Sequence, residues 1–288
     1  EGSKSINSGA YVGFIYDYNS STQTYIKTNV IISSSSLSST YCYVAISGDG
    51  NFAAISKPNV DNIGEVRTLS KQNGSWVVGA TTLNGSPFTG LAFFGRSMAL
   101  DGTGAVLAIG GSQYPNSGDN NGRVYVYTRS GYTYSLATYL TPIGTINAFG
   151  SALAISNDGT VLCVGSPSTA DQTSANFTIY RNSGTWTLET QIYNSDITYS
   201  NFASSLSLTL AGTRLAVGGQ IGNSLTTYKA GIVYDYSNGG WSKTQDLSYG
   251  PVTTIDTQFD CQISISGDGN AIVVGSPAEN NALGRILL

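Results

Sequence analysis

This sequence predicts an all-β fold, a β-propeller of four-stranded antiparallel blades. Three observations carry that prediction. A unit of roughly 55 residues recurs along the 288-residue chain. Apolar residues alternate with period two inside each unit, and Gly-containing polar pairs punctuate it. No amphipathic helix of ordinary length interrupts the series.

The first half of the unit is legible in FGSALAISNDGTVLCVGSP, from Phe149 to Pro167. Leu153 and Ile155, then Val161 and Cys163, alternate on either side of a polar turn, which predicts two strands of a hairpin. Aligned copies run from Tyr41 to Pro58, Phe93 to Ser112, Phe202 to Gln220 and Phe259 to Pro277. The turn glycines Gly50, Gly104, Gly159, Gly212 and Gly269 are, by subtraction, 54, 55, 53 and 57 positions apart. Asp49-Gly50, Asp158-Gly159 and Asp268-Gly269 share one aligned position and are read as blade turns, because Gly takes positive φ without a Cβ penalty. ISGDGN itself occurs twice, at Ile46 to Asn51 and Ile265 to Asn270.

A second hairpin follows each first one. NGRVYVYTRSGYTYSLATYL (Asn121 to Leu140) turns at Ser130-Gly131, and its siblings turn at Ser183-Gly184 and Asn238-Gly239. A single four-stranded unit cannot bury both faces, so neighbours must stack, and the propeller is the arrangement that does so around a ring. A pair of β-sandwiches or an open solenoid is the all-β alternative.

The whole chain, 1–288, is read as one domain. Residues 37–90, 91–144, 145–198 and 199–254 make full blades, and 255–288 supply the first strands of a closing blade. Residues 1–36 form an N-terminal hairpin whose GFIYDYN (Gly13 to Asn19) matches the third strand GIVYDYS (Gly231 to Ser237). The expected architecture is therefore five blades, with the N-terminal hairpin completing the C-terminal blade. Gly284 to Leu288 also resembles a third strand, so that strand is represented twice. A surplus strand can add to the exposed sheet edge of a neighbouring subunit and link copies into a fibre. A window from a six- or seven-bladed protein is the other explanation. Cys42 and Cys261 hold matched positions in the first and last units, which predicts a disulfide fastening the ring. Cys163 lies on an apolar strand and is read as an unreactive core thiol.

With the repeat in view, the pattern FG-x-S-x-A-x-S-x-D-G-x-x-L-x-V-G-S-P followed by G-x-V-Y-V-Y resembles the FG-GAP repeat of integrin α-subunit propellers. Phe149-Gly150, Gly165-Ser166-Pro167 and Gly275-Ser276-Pro277 carry the resemblance. It implies a propeller, and it implies calcium loops built from several carboxylates. This chain departs from the family there. Ser47 to Asn51 and Ser156 to Gly159 offer one carboxylate each, and 210–213 offer none, against the six to eight oxygens calcium takes. No metal and no cofactor is expected.

Composition narrows the function. Charged residues make up 10% of the chain, against about 25% in an average domain, and Tyr occurs 19 times. Net charge is −4 with no basic cluster, so nucleic acid and anionic membrane are not expected partners. No apolar run approaches the length of a membrane span, so no membrane insertion is expected. His is absent, which removes Ser-His-Asp and Cys-His catalysis and His-ligated metals. Nothing pairs two carboxylates across a cleft, and no phosphate-loop pattern is present. No catalytic residue is assigned.

The chain starts at Glu1, and its single methionine is Met98, which reads as a processed product or a fragment. Asn19, Asn73 and Asn176 head glycosylation sequons, while the one at Asn84 is followed by Pro87. Trp76, Trp186 and Trp241 follow turns at equivalent places and are read as inter-blade packing. Tyr114, Tyr132 and Tyr199 are candidate partner or glycan contacts. The expectation is an extracellular or surface-exposed, non-enzymatic structural or adhesive propeller. It associates with itself through terminal strand exchange or binds a protein or glycan. A lectin-like carbohydrate-binding propeller and a carboxylate-dependent glycosidase or lyase are the alternatives.

Overall fold

The alternation read from the sequence appears as a run of strands with no helix among the described residues. The computed structural model describes residues 11–33, 42–58, 63–85, 93–111, 122–144, 148–167, 175–193, 199–221, 229–248, 262–276 and 285–287. Strands β1 (Tyr11–Asn19) and β2 (Thr24–Ser33) form a two-stranded sheet. Four four-stranded sheets follow. The first holds β3 (Tyr43–Ile46), β4 (Phe52–Lys57), β5 (Glu65–Gln72) and β6 (Ser75–Asn84). The second holds β7 (Phe94–Leu100), β8 (Val106–Gly111), β9 (Arg123–Ser130) and β10 (Thr133–Leu140). The third holds β11 (Ala152–Ile155), β12 (Val161–Ser166), β13 (Asn176–Asn182) and β14 (Trp186–Tyr193). The fourth holds β15 (Tyr199–Leu208), β16 (Arg214–Ile221), β17 (Lys229–Ser237) and β18 (Gly240–Ser248). A last sheet holds β19 (Gln262–Ile265), β20 (Ile272–Ser276) and β21 (Arg285–Leu287). All ladders are antiparallel and join strands in chain order, so each sheet is a meander, and the architecture is propeller-like.

Burial follows strand position. The second strands β4, β8 and β12 are buried along their whole length, because each is covered on both faces, β8 and β12 by neighbouring blades and β4 by the second blade on one side and the β1–β2 sheet on the other. That is why they read as unbroken apolar runs rather than alternating ones. Each blade offers the next one an exit face, and the next blade lays its first strand upon it. Ala54, Ala108, Cys163 and Ala216 hold one aligned exit-face position on the second strand and are fully buried. Each clusters with the two apolar residues of the following first strand: Met98 with Leu100, Leu153 with Ile155, Leu206 with Leu208, and Ile263 with Ile265. A small side chain is needed there because a neighbouring strand lies directly on top. Burial also pushes the Cys163 thiol far above its usual range, which makes it inert.

The FG element is the backbone part of the same seam. Phe94, Phe149 and Phe202 are core residues within the first strand or just before it. A Cβ on Gly110 would collide with the Gly150 carbonyl of the next blade, and a Cβ on Gly165 with the Ala203 carbonyl. Serine hydroxyls tie the seam: Ser56 donates to the Gly95 carbonyl at 2.6 Å and Ser97 to the Gly150 carbonyl at 2.5 Å. On the third strands, Tyr127, Tyr180 and Tyr234 stand opposite Leu107, Leu162 and Leu215. Burial pushes all three hydroxyls up to about 12.

The ends differ from expectation. Among the described residues the N-terminal hairpin makes no ladder with β20; β1 pairs with β2, and β21 takes the place beside β20. The reason is local: Arg285 to Leu287 already occupy the edge of β20 opposite Val274 to Ser276.

Candidate interaction surfaces

The acidic turns are self-contained. The Ser47 hydroxyl donates to Asp49 at 2.5 Å and accepts from the Phe52 N–H at 3.0 Å. Asn51 donates its backbone N–H to Asp49 Oδ1 at 3.0 Å and its side-chain amide to Oδ2 at 3.1 Å. Ser266, Asp268 and Asn270 repeat this arrangement, and Ser156, Asp158 and Thr160 repeat it with a hydroxyl in place of the amide. Partial burial pulls Asp49 and Asp158 upward, but the serine hydroxyl and the following N–H outweigh it and hold both below the usual carboxylate range. The Ser266 hydroxyl and Asn270 do the same for exposed Asp268. Gly50, Gly159 and Gly269 take φ of 70°, 70° and 76°. Among the described residues no group of three His, Cys, Asp or Glu could hold a metal ion. These carboxylates are committed to turn geometry.

The same turns carry a relay of backbone hydrogen bonds from blade to blade. Gly102 donates to the Asn157 carbonyl at 2.8 Å, Asn157 to Leu210 at 3.0 Å, and Leu210 to Gly267 at 3.0 Å. At the first junction Asp49 donates to the Gly102 carbonyl at 2.8 Å. Among the described residues the Gly267 N–H finds no acceptor and the Gly48 carbonyl no donor. The relay therefore has one open end of each sign.

The side chains at those ends are bare. Val44 and Ile46 on β3 are 73% and 59% exposed, whereas their counterparts Ile263 and Ile265 are 7% exposed each. On β20, Val273 is 38% exposed at the position where its four siblings are fully buried. Among the described residues no atom lies within 4 Å of where a Cβ on Gly275 would sit, although it aligns with the sealed Gly110 and Gly165. The β1–β2 sheet covers only part of the first blade. Ile15 packs with Ala53, Ile55 and Leu69, and Asp17 accepts from Lys71 Nζ at 2.7 Å and Trp76 Nε1 at 3.0 Å. Its opposite face shows Phe14, Tyr16, Tyr18 and Tyr25 to solvent. Tyr16 aligns with buried Tyr234.

The residues singled out from sequence are dispersed. Cys42 is a free, exposed thiol just before β3; Cys261, its expected partner, lies outside the described residues, so the pairing falls there too. Asn73 is exposed in the β5–β6 turn. Asn19 caps the β1–β2 turn, where its Oδ1 accepts from the Ser21 and Thr22 N–H groups. Asn176 is a correction. It is fully buried, its Oδ1 accepting from Gln191 at 3.1 Å, and a folded chain presents no room for a glycan there. Trp76, Trp186 and Trp241 are partly buried, each against a core cluster. Tyr132 is exposed; Tyr114 lies outside the described residues, and of Tyr199 only the backbone is placed. Sequence reasoning missed the aromatic face of β1, although Phe14, Tyr16 and Tyr18 alternate plainly. It also missed the backbone relay, which no side chain marks.

Comparison with known proteins adds fold alone. No protein-family model matches the chain, and no curated protein matches it. Among solved structures, AofleA from Arthrobotrys oligospora is similar at a TM-score of 0.51 and 12% identity, over 92% of this chain and 73% of that one. A hypothetical selenium-binding protein from Sulfolobus tokodaii is similar at a TM-score of 0.57 and 13% identity, over 93% of this chain and 65% of that one. The likeness is one of backbone architecture. No helix among the described residues is long and apolar enough to cross a membrane.

Proposed function

We propose that this protein is a non-enzymatic structural or adhesive propeller of the extracellular space or a cell or virion surface, which associates with copies of itself through its terminal strands. The observation that carries the reading is the contrast between covered and bare faces. Val44, Ile46 and Val273 are exposed at the two ends of a series whose inner junctions bury the same positions. A chain with only 10% charged residues and abundant Tyr suits packing between proteins. A count of five blades and a kinship with FG-GAP repeats belong to the same reading, supported by the motif spacing. Light scattering and negative-stain microscopy over a concentration series test it. Oligomers or fibres are expected, and monomers alone at high concentration would sink it.

A second reading, carbohydrate binding, is favoured by one observation: the row of exposed Phe14, Tyr16, Tyr18 and Tyr25, whose faces suit stacking on sugar rings. A glycan array with wild type and Tyr16→Ala decides it. Binding of one sugar class, lost on substitution, would establish it.

A further inference from the structure

We infer that the bare exit face of β19–β20 in one copy docks on the bare entry face of β3 in a second copy, and that β1 of the second copy replaces β21 beside β20 to complete a composite blade. This rests on the self-association proposed above and specifies its interface.

The argument is precedent within the molecule. Four junctions between successive blades share one design. An exit-face residue on the second strand (Ala54, Ala108, Cys163 or Ala216) is buried by an apolar pair on the next first strand. Val273 and the pair Val44 and Ile46 hold these same aligned positions, and they alone among them remain open. The relay offers the matching polar end, because the Gly267 N–H and the Gly48 carbonyl, which have no backbone partner among the described residues, are the groups that the next step of the relay would join. Gly275 leaves space for a backbone, as Gly110 and Gly165 do where a following blade fills it.

The occupant is a second copy because within one folded chain the two faces do not bury each other: Val44, Ile46 and Val273 all remain exposed. The entry face is already half built. The β1–β2 sheet sits against the outer strands of the first blade, held by Ile15 and by Asp17. What is missing beside it is a first and a second strand, which β19 and β20 are. Docking brings β20 alongside β1. The β16–β17 ladder, with Leu215 opposite Tyr234 and Val217 opposite Ile232, sets the register. By alignment, Ile272 comes opposite Tyr16 and Val274 opposite Phe14. β21 must leave, and its ladder with β20 spans three residue pairs against six between β12 and β13. Tyr16 then gains the cover that Tyr234 has. The contact is head-to-tail, so repeated addition produces a filament, or a ring of copies where the rotation closes.

Chains with one accessible cysteine test this in a Cys42→Ser, Cys261→Ser background, in which the remaining Cys163 is fully buried. Val44→Cys chains are mixed with Val273→Cys chains under mild oxidation. A disulfide-linked heterodimer is expected from the mixture and from neither chain alone, and a ladder from chains carrying both substitutions. A doubly substituted chain that instead closes on itself as a monomer overturns the proposal in favour of its own end as occupant. Absence of cross-links in preparations whose assemblies persist by microscopy overturns this junction but leaves self-association standing. Absence of assemblies in the wild type removes self-association itself. A second variant, Val44→Asp, places an unpaired charge in the junction at an exposed position that folding tolerates. It is expected to weaken association by about 100-fold, read by sedimentation with the circular dichroism unchanged. Unaltered association would overturn the inference.

Discussion

The junction between the second and third blades and the terminal face of β20 are made of aligned residues. Ala108 and Val273 hold one position, and Gly110 and Gly275 another. At the inner junction the third blade lies on top: Ala108 is fully buried, and the Gly150 carbonyl fills the space where a Gly110 Cβ would go. At the terminal face none of the described residues lies on top, Val273 is 38% exposed and the space beside Gly275 is open among them. The comparison teaches that the repeat encodes a two-sided unit. A side chain's environment is decided by whether a neighbour exists, not by its own strand.

The largest expected break in this comparison is in the aromatics. Phe149→Ala removes a fully buried ring at an inner seam and should cost about 3–5 kcal/mol in chemical denaturation. Phe14→Ala, on the exposed face of β1, should stay within about 0.5 kcal/mol in the isolated chain. Equal losses would show that the terminal face is covered within one chain. Next come the glycines. Gly110→Ala forces a Cβ into the next blade's backbone and should cost about 1–3 kcal/mol, while Gly275→Ala should be near neutral. A thermal melt of each against wild type separates them, and a destabilising Gly275→Ala would mean that β20 is already covered.

Smaller again is the tie of the half-built blade. Asp17→Ala removes acceptors from Lys71 and Trp76 and should cost about 1–2 kcal/mol, with faster proteolysis in 11–33 as the local readout. The smallest effect is electrostatic. Asp49, Asp158 and Asp268 in the turns, and Asp235 on β17, which accepts from the Arg214 guanidinium at 2.6 Å, titrate below their ordinary value of 3.8 when folded, so their stabilisation is complete above that value and is lost as pH falls through their folded values. Asp101 has the opposite sign, because burial raises it despite the backbone N–H groups that favour its charge. Four carboxylates against one predict a thermal midpoint lower at pH 3 than at pH 5. A flat profile would mean that the turns hold without their carboxylates.

Much of the strand plan was readable, and for stated reasons. The Asp-Gly and Ser-Gly turns were legible because the φ they need is one that Gly takes freely, as Gly131 at 60° and Gly159 at 70° show. ISGDGN looked like a site and is a turn, because Ser47 and Asn51 consume the charge of Asp49. Other features were not legible. The sequon at Asn176 is a local pattern, blind to the fact that this strand start faces Gln191 in the interior. Two segments, β1 and β21, both match the third strand, and a local pattern cannot say which one takes the edge of β20. The backbone relay was invisible because every residue except Pro has the same N–H and C=O.

By itself the sequence determined the period, the strands within each unit and the turns between them. Those follow from alternation and from backbone preference, which act over a few residues. It also determined the small residues of the exit face, though not the reason for them. Only the tertiary structure decided that Ala108 is sealed and Val273 bare, that Asn176 is inside, and that the relay stops at Gly267. Each of those depends on which strand lies on which, and stacking between distant segments is a property of the assembled blades.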